Sequence, residues 1–417
     1  MLRIQAELLI PGRGEPIENG AVIVDGPVIT YAGASSGAPS TSDETVIEVP
    51  VVMPGLWDCH AHLFGSPSWS LEGVAWVPPA AAGARATADL ARYLEGGVTS
   101  VREVGGYGVE LAPVVDEGSI TGPSIYGAGA VLSTTGGHGD IHSIPLDIYE
   151  GISVRSRIVG RLADGPSECI KAVREQLRRN ARVIKICASG GVMSEVDHPV
   201  HQQFSDEELQ AIVAEAARAE RVVAAHCHGK PGIMAALRAG VKTIEHGSYL
   251  DEEAAELMKE KDAILVPTRF IVEELLGMEL HVPGYAYRKI TALAGTHAQA
   301  LKIAIATGVK IAMGTDIFPS GPVHGFRYAL ASREMRHLTE AGLTPLQAIE
   351  AATATGPLTL GAQAPKSGRL EEGFEADLIA LDRSPLDLDS IWGDPERVTH
   401  VWKAGLRVKG APADPVT

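Results

Sequence analysis

The sequence predicts an α/β protein: a (β/α)8 TIM barrel with a small β-sandwich domain formed by both termini. Between about residues 51 and 364, short runs rich in Val, Ile and Ala alternate with amphipathic helical stretches, the pattern of repeated βα units around a parallel sheet. Both ends of the chain instead hold short alternating runs separated by turns. The 417 residues suffice for such a barrel, typically about 250 residues long, with an accessory domain.

Eight apolar runs are the predicted barrel strands, in chain order 51–57, 98–103, 124–131, 182–187, 222–226, 241–245, 263–267 and 310–315. Two helix starts are well marked, because Ser205 to Glu208 has the residues of a capping box and Thr344-Pro345 places proline in a first helical turn. The segments 1–50 and 365–417 have the turns of β-hairpins. Because they flank the barrel, we expect them to pair into one β-sandwich domain, with 51–364 as the catalytic barrel.

Composition and charge narrow the functional class. The net charge of −16 argues against non-specific nucleic-acid binding, which needs a basic surface. No apolar run approaches the roughly 18 residues that cross a bilayer, and the start of the chain does not have the pattern of a signal peptide. We therefore expect a cytoplasmic protein with no membrane or nucleic-acid partner. The four cysteines lack CxxC spacing, which favours reduced, buried thiols.

Six residues that could bind metal fall at or near the ends of predicted strands, where barrel enzymes build their active sites. They are His60, His62, Lys185, His226, His246 and Asp316. Ten of the fourteen histidines lie at these ends or in the loops beyond them, a concentration that random surface placement would not produce. A lone HxH motif is weak, and ordinary strand-end histidines are its alternative reading, but six positions in register predict a two-metal site.

Alternate residues of a strand face the same side, so His60 and His62 can bind one metal together with Asp316, while His226 and His246 bind the second. Two metals about 3.5–4 Å apart lower the pKa of bound water and polarise a carbonyl group. Asp316 is then predicted to hold a bridging hydroxide and to carry its proton to the leaving nitrogen. This chemistry is hydrolysis of an amide or a related carbonyl bond by attack of the hydroxide.

Lys185 lies within an apolar strand, where a bare ammonium costs several kcal/mol to bury. Burial and nearby cations depress an amine's pKa, and a neutral amine reacts with carbon dioxide. We therefore predict that Lys185 is N-carboxylated and that its carbamate bridges the two metals. A lysine paired with an acid, or one that extends to solvent, is the alternative. Zinc is the default metal for these ligands, with manganese, cobalt and iron compatible.

The chain resembles the metal-dependent amidohydrolase superfamily, through the six residues above and through two supporting stretches, 53–62 and 368–379. Three further segments resemble its prolidase and ochratoxinase-like branch: 133–140, 185–194 and 203–209. This resemblance implies a binuclear enzyme with a carboxylated lysine that cleaves the amide bond of dipeptides or N-acyl amino acids, including ochratoxin-type aromatic amides. It also implies a homo-oligomer, since octamers occur in the branch.

Other residues are candidates for contacting a small-molecule substrate. His138 follows the third strand and could donate to the substrate carbonyl or developing oxyanion, with a backbone-bonded loop histidine as the alternative. His228, two residues beyond His226, could face the same cavity, where similar enzymes contact the substrate carboxylate. Arg269 could pair with that carboxylate or form an internal salt bridge, and Tyr249 is a similar candidate. The roles of three loop histidines are left open: His198, His201 and His324.

Three other functions are alternatives to amide hydrolysis. A urea, carbamate or lactone could replace the amide on the same metal site, since the same hydroxide attacks any such carbonyl. An aromatic-ring deaminase usually keeps one metal and lacks the bridging lysine, so Lys185 argues against it. A catalytically inactive scaffold would have lost ligands, whereas all six are present.

Overall fold

The computed structural model describes residues 1–40, 44–156, 158–386 and 391–410. The chain begins with β1 (Leu2–Leu9), β2 (Ile17–Asp25), β3 (Val28–Ala34) and β4 (Thr45–Pro54), with a 3-10 turn at Ser35–Gly37. The first half of the barrel follows, with β5 (Leu56–Ser66), α1 (Leu71–Ala75), α2 (Pro79–Glu95), β6 (Val98–Glu103), α3 (Gly108–Asp116), β7 (Ser124–Gly127), β8 (Leu132–Ser133), α4 (Leu146–Ser156), β9 (Arg161–Leu162) and α5 (Pro166–Arg178).

The second half of the barrel comprises β10 (Ile184–Cys187), α6 (Asp206–Ala217), β11 (Val223–Cys227), α7 (Lys230–Ala239), β12 (Thr243–His246), α8 (Glu252–Glu260), β13 (Ile264–Val266), α9 (Arg269–Leu276), α10 (Gly284–Thr307), β14 (Lys310–Ile311), β15 (Ile317–Pro319), α11 (Arg333–Ala341) and α12 (Pro345–Ala352). Three 3-10 segments lie at Gly325–Leu330, Pro357–Gln363 and Pro395–Arg397. The chain returns to the terminal sheet through β16 (Leu378–Leu381), β17 (Val398–Lys403) and β18 (Leu406–Lys409).

The barrel is a closed ring of parallel strands, as predicted. Its strands pair in two runs, β15-β5-β6-β7 and β14-β13-β12-β11-β10-β8-β9. Backbone hydrogen bonds close both gaps, from Arg182 N to Gly127 O on one side and from Cys59 N to Met313 O and Asp316 N to His60 O on the other, each 2.8 Å long. The strands β5, β6, β7, β10, β11, β12, β13 and β14 therefore form the eight staves, and the fold class is confirmed.

The first predicted strand, 51–57, is divided in the structure. Residues 51–54 belong to β4, which pairs with β16 in the terminal sheet, and the barrel strand β5 starts only at Leu56. Gly55 lies at the junction, where a Cβ atom would come within 2.1 Å of the Thr99 hydroxyl oxygen. One apolar run in the sequence thus contributes a strand to each of two sheets. Its residues are hydrophobic throughout because both parts are buried. The third predicted strand is also shorter than expected, since β7 ends at Gly127.

Both termini join in one mixed sheet of seven strands, in the order β18-β17-β16-β4-β1-β2-β3. The two ends of this sheet come together, because Ile29 N donates to Phe374 O at 2.9 Å and Gly405 lies against the backbone of Gly26. The sheet thus encloses a core of its own, which includes Ile4 and Trp402. The predicted pairing of the termini is confirmed, although the two layers belong to a single curled sheet. Residues 41–43, 387–390 and 411–417 of the predicted terminal domain lie outside the described residues.

Local sequence signals match the elements they predicted. Ser205 and Glu208 form a reciprocal capping box at the start of α6, and Thr344 does the same with Gln347 at α12. At the N-terminal end of the barrel, stacked Trp57 and Tyr126 rings fill the interior, 5.0 Å apart. All four cysteines are buried and unpaired. Within the described ranges, every helix is too short or too polar to span a membrane.

Candidate metal centre and cavity

The C-terminal ends of the barrel strands bring all six predicted metal ligands into one buried cluster. β5 supplies His60 and His62, and β10, β11 and β12 supply Lys185, His226 and His246. Asp316 lies between β14 and β15. Two of them, His246 and Asp316, have positive φ angles of 70° and 60°. Such backbone strain in non-glycine residues persists only where the surrounding structure imposes it. The backbone is therefore bent at the end of β12 and just before β15, and these bends direct the two side chains.

One half of the cluster gathers around Asp316. Its Oδ1 lies 3.1 Å from His62 Nε2 and 3.5 Å from His60 Nε2. The other ring nitrogens are held from behind, because His60 Nδ1 contacts Glu245 Oε2 and His62 Nδ1 contacts Gly105 O, both at 2.7 Å. Each imidazole thus directs Nε2 at the carboxylate, which is the arrangement a first metal ion requires.

The other half contains three histidines whose ring nitrogens lie within 4.8 Å of one another: His226, His228 and His246. Here His228 Nδ1 contacts Ser248 Oγ and His246 Nδ1 contacts Thr268 Oγ1, both at 2.7 Å. His226 is held through Nε2, 3.1 Å from Gly190 O, which leaves its Nδ1 for a ligand. His246 also groups with His60 and Asp316, so it lies between the two halves. His228, predicted to contact substrate, is equally well placed to bind the second metal.

Lys185 lies on the floor of the cluster and is 3 % exposed. Among the described residues, its Nζ has no hydrogen-bond partner. Neither alternative reading of this lysine is observed, since it forms no ion pair with an acid in the described chain and does not extend to solvent. Burial lowers the pKa of Lys185 below its ordinary value. A buried, unpartnered amine whose pKa is lowered fits the predicted carboxylation.

The electrostatics of the cluster favour neutral imidazoles and an ionised aspartate. Burial lowers the pKa of His60 to about 4, helped by the neighbouring Lys185. Burial also lowers the pKa of His226 and His246 well below the usual range. Burial opposes ionisation of Asp316, but its contacts with His60 and His62 outweigh this effect and lower the pKa of the carboxyl group. These are the protonation states of metal ligands.

A buried ion pair beneath the cluster, missed in the sequence, supports His60. Glu245 accepts from Arg102 Nη2 at 2.7 and 2.8 Å, and from the Thr243 hydroxyl at 2.5 Å. Arg102 Nε also donates to Cys59 O, at 2.6 Å. Arg102 and Glu245 are fully buried. The signal that identified Lys185, a charged residue in an apolar strand, was present at both positions.

Asp58 is a second supporting acid that sequence reasoning missed. Its Oδ1 accepts from the backbone N–H of His60 and of Thr315, at 3.1 and 3.0 Å. Its Oδ2 accepts from the hydroxyls of Thr315 and Tyr93, at 2.5 and 3.0 Å. Asp58 therefore ties the start of the HxH segment to the residue before Asp316. This link fixes the distance between the two strand ends that supply the first half of the cluster.

His138, predicted to be catalytic, borders the cavity. Its ring stacks on that of His226, with centroids 4.2 Å apart, and its Nδ1 lies 2.7 Å from Ser194 Oγ. Burial lowers the pKa of His138 to about 4. Because a side-chain hydroxyl holds Nδ1, the Nε2 edge is left to face a ligand. The alternative of a ring bonded to backbone is not observed.

The structure does not bring Arg269 or Tyr249 to the cavity wall. Arg269 instead donates to Ala294 O at 2.8 Å, contacts His297 Nδ1 at 3.2 Å and pairs with Glu273. The reason is local, because Thr268 has a φ of 53° and Arg269 begins α9, so its side chain runs along the helix. In the structure Arg269 therefore forms an internal salt bridge with Glu273 and lies outside the set of residues that line the cavity.

The loop histidines have separate positions at the mouth. His198 and His201 are exposed, with ring centroids 5.2 Å apart. His324 lies edge-on to Trp69, with centroids 5.7 Å apart. None of these three lines the cavity among the residues described.

The cluster forms the floor of a cavity of about 140 Å³. Above the cluster, the cavity walls are apolar and consist of residues from three parts of the barrel. Phe64, Leu71, Val74 and Phe318 form one side, Val131, Ile141, Ile158 and Val159 a second, and Val192, Met193, Ile271, Val272, Leu275 and Ile290 a third. Such walls accept bulky hydrophobic groups on a ligand whose polar centre lies over the cluster.

Comparison with known proteins agrees with this geometry. The family model described as "Amidohydrolase family" matches residues 51–408. Ochratoxinase from Aspergillus niger is 45% identical over 422 residues, covering 98% of this chain and 86% of the relative. Its crystal structure superposes with a TM-score of 0.90, covering 98% of this chain and 96% of the other. A prolidase complexed with N-methylphosphonate-L-proline is 33% identical, with a TM-score of 0.89 and coverage of 98% and 100%.

The barrel and its histidine-rich floor thus define a metal-dependent hydrolase, and the chain belongs to the amidohydrolase family. Within that family it belongs to the branch that contains ochratoxinase and prolidase. A Xaa-Pro dipeptidase with bound methionine is a further relative, at 30% identity and a TM-score of 0.85 over 98% of this chain and 100% of the other.

Proposed function

We propose that this enzyme cleaves the amide bond of N-acyl amino acids or dipeptides that carry bulky apolar or aromatic groups, including ochratoxin-type aromatic amides. One observation carries the proposal: a histidine-rich floor with the buried Lys185 at its centre lies under walls that are almost wholly apolar. The relatives support the choice of bond, since they are named ochratoxinase, prolidase and Xaa-Pro dipeptidase.

Two divalent metal ions, with zinc the default, fit the two halves of the cluster. His60, His62 and Asp316 would hold one, and His226 and His246 the other, with His228 next to the second. When bound, the ions supply an activated water and polarise the scissile carbonyl. Lys185 would join the halves as a carbamate: its neutral Nζ forms a bond to the carbon of carbon dioxide and releases one proton, which leaves a carboxylate in place of the amine.

The chain's own residues would handle protons and exclude water. Asp316, ionised and 3.1 Å from His62 Nε2, accepts a proton at Oδ1 and delivers it to the leaving nitrogen. His138 donates through Nε2 to the carbonyl oxygen as charge develops there. The apolar walls keep bulk water from the reacting groups, which strengthens these contacts. His228 contacts the carboxylate of the released amino acid or completes the second metal site.

The test combines metal content per chain with release of amino acid from a panel of N-acyl amino acids, Xaa-Pro dipeptides and phenylureas. We expect two metals and release from substrates with large apolar groups. A metal-free protein that stays inactive after zinc is added, or one that turns over only phenylureas, contradicts the proposal. Light scattering checks the predicted homo-oligomer in the same preparation.

A further inference from the structure

The loop 190–198, which follows β10, forms part of the cavity wall and also holds His138. Val192 and Met193 line the cavity. In the next residue, Ser194, the side-chain Oγ lies 2.7 Å from His138 Nδ1. The position of this loop therefore sets both the shape of one wall and the orientation of the His138 ring.

Lys289, on α10, reaches into this loop. Its Nζ donates to the carbonyl oxygens of Gly191, Ser194 and Asp197, at 3.1, 2.6 and 2.6 Å, and lies 3.4 Å from Asp197 Oδ1. The side chains of Lys289 and Asp197 are 15 % and 5 % exposed. An ammonium has three N–H donors, and the loop supplies more than enough acceptors for all of them. Lys289 is therefore committed to the loop rather than to a ligand.

Asp197 extends the contact toward His138. Its Oδ2 accepts from Gly191 N at 2.8 Å and from Gln203 Nε2 at 3.2 Å. The Gln203 amide oxygen in turn accepts from His138 N at 3.0 Å. The backbone of His138 is thus joined to Asp197 through Gln203, and its ring is joined to the same loop through Ser194. One turn earlier on α10, Tyr285 OH donates to Met193 O at 3.2 Å.

We propose that Lys289 and Asp197 form a clamp that positions His138 for the reaction. The inference rests on the proposed function of the site. The clamp acts by geometry, because a catalytic group that moves by about 1 Å can lose up to about a hundredfold in rate. Neither Lys289 nor Asp197 is among the described residues that line the cavity, so both are positioning residues.

The first experiment compares Lys289→Met with Lys302→Met, an exposed lysine on the same helix. We expect Lys289→Met to lower kcat by about tenfold or more, with a smaller change in KM, and Lys289→Arg to recover part of the loss. Lys302→Met should match the wild type. In a His138→Ala background, Lys289→Met should cost less than about twofold more, because the two residues act through one group. Losses that multiply instead overturn the clamp.

Hydrogen–deuterium exchange tests the clamp without turnover. Lys289→Met should raise amide exchange across 190–198, whereas Lys302→Met should not; unchanged exchange refutes the proposal. Ser194→Ala, which removes the ring contact and keeps the clamp, should lower kcat without raising exchange. If Lys289→Met does not fold, Asp197→Asn, which removes the charge that faces Lys289, replaces it in both experiments with the same expected results. If the wild type hydrolyses no substrate in the panel, the proposed function fails, while the exchange result still decides whether the clamp exists.

Discussion

Among the residues that the structure describes, each reactive side chain of the centre has a hydrogen-bond or ion-pair partner, except Lys185. A buried amine without a hydrogen-bond partner is unfavourable unless it is neutral or modified. We therefore expect Lys185→Ala to lose most of its metal and activity, with partial recovery when acetate or propionate is added, because a free carboxylate can replace the carbamate. Metal per chain and amino-acid release measure the effect.

Lys171→Ala, an exposed lysine on α5, is the matched control and should change neither quantity. Full metal content and activity in Lys185→Ala would exclude a bridging carbamate.

The ion pair of Arg102 and Glu245 fixes the His60 ring from behind. Glu245→Gln keeps the size of the side chain but weakens its hold on His60 Nδ1. Losing such an outer contact typically costs about 10–100-fold in metal affinity. We expect a loss of that order, measured by competition with a chelator. An affinity equal to that of the wild type would mean that the metal itself orients His60.

For Arg269 we expect a substitution to change stability and not substrate binding. Because its guanidinium binds Ala294 O and Glu273, Arg269→Met should lower the thermal unfolding temperature and leave KM within about twofold of the wild type. A large rise in KM for substrates with a free carboxylate, absent for their amides, would restore the carboxylate clamp expected from the sequence.

The sequence pointed to the six residues that the structure brings together at the floor of the cavity, because each interrupts or ends an apolar run and burial of a polar group there is costly. The same reasoning could not give the partners of Arg102 or Glu245, since periodicity shows which face a residue occupies but not what lies across the barrel. It also could not give the direction of the Arg269 side chain, which depends on the αL backbone of Thr268.

At the scale of elements, the division of one apolar run into β4 and β5 at Gly55 could not be predicted from the sequence. Residues 51–54 pair with β16 and residues from 56 onward pair with β6, yet both parts are buried and hydrophobic. Hydrophobic pattern alone cannot assign adjacent segments to different sheets. Gly55 is a local indication of the division, but the reason that glycine is needed there is the nearby side chain of Thr99 on β6, which the sequence does not show.

Gly55→Ala should therefore destabilise the protein, because the added methyl group would lie 2.1 Å from Thr99 Oγ1 and 2.4 Å from its Cγ2. Overpacking of this kind costs about 1–3 kcal/mol. Urea unfolding measures the loss, and adding Thr99→Ala should recover part of it. Equal stability of Gly55→Ala and the wild type would show that β5 and β6 can separate freely at this point.

At the scale of the whole molecule, two consecutive strands, β4 and β5, connect the terminal sheet directly to the metal centre. Chain that leaves β4 in the terminal sheet enters β5 directly and reaches His60 and His62 within that strand. Asp58, on the same path, ties β5 to the residue before Asp316. Anything bound by the histidines is therefore coupled to the packing of both parts of the molecule.

Metal removal should then destabilise the entire chain rather than the site alone. Without ions, the cluster retains at least one buried polar atom, Lys185 Nζ, that has no hydrogen-bond partner among the described residues. A ligand at a thousand times its Kd stabilises a folded protein by about 4 kcal/mol. We expect a chelator to lower the thermal unfolding temperature by a matching amount and zinc to restore it. Lys185→Ala should show a much smaller response to the chelator, and an equal response in both proteins would place the stabilising metal outside this centre.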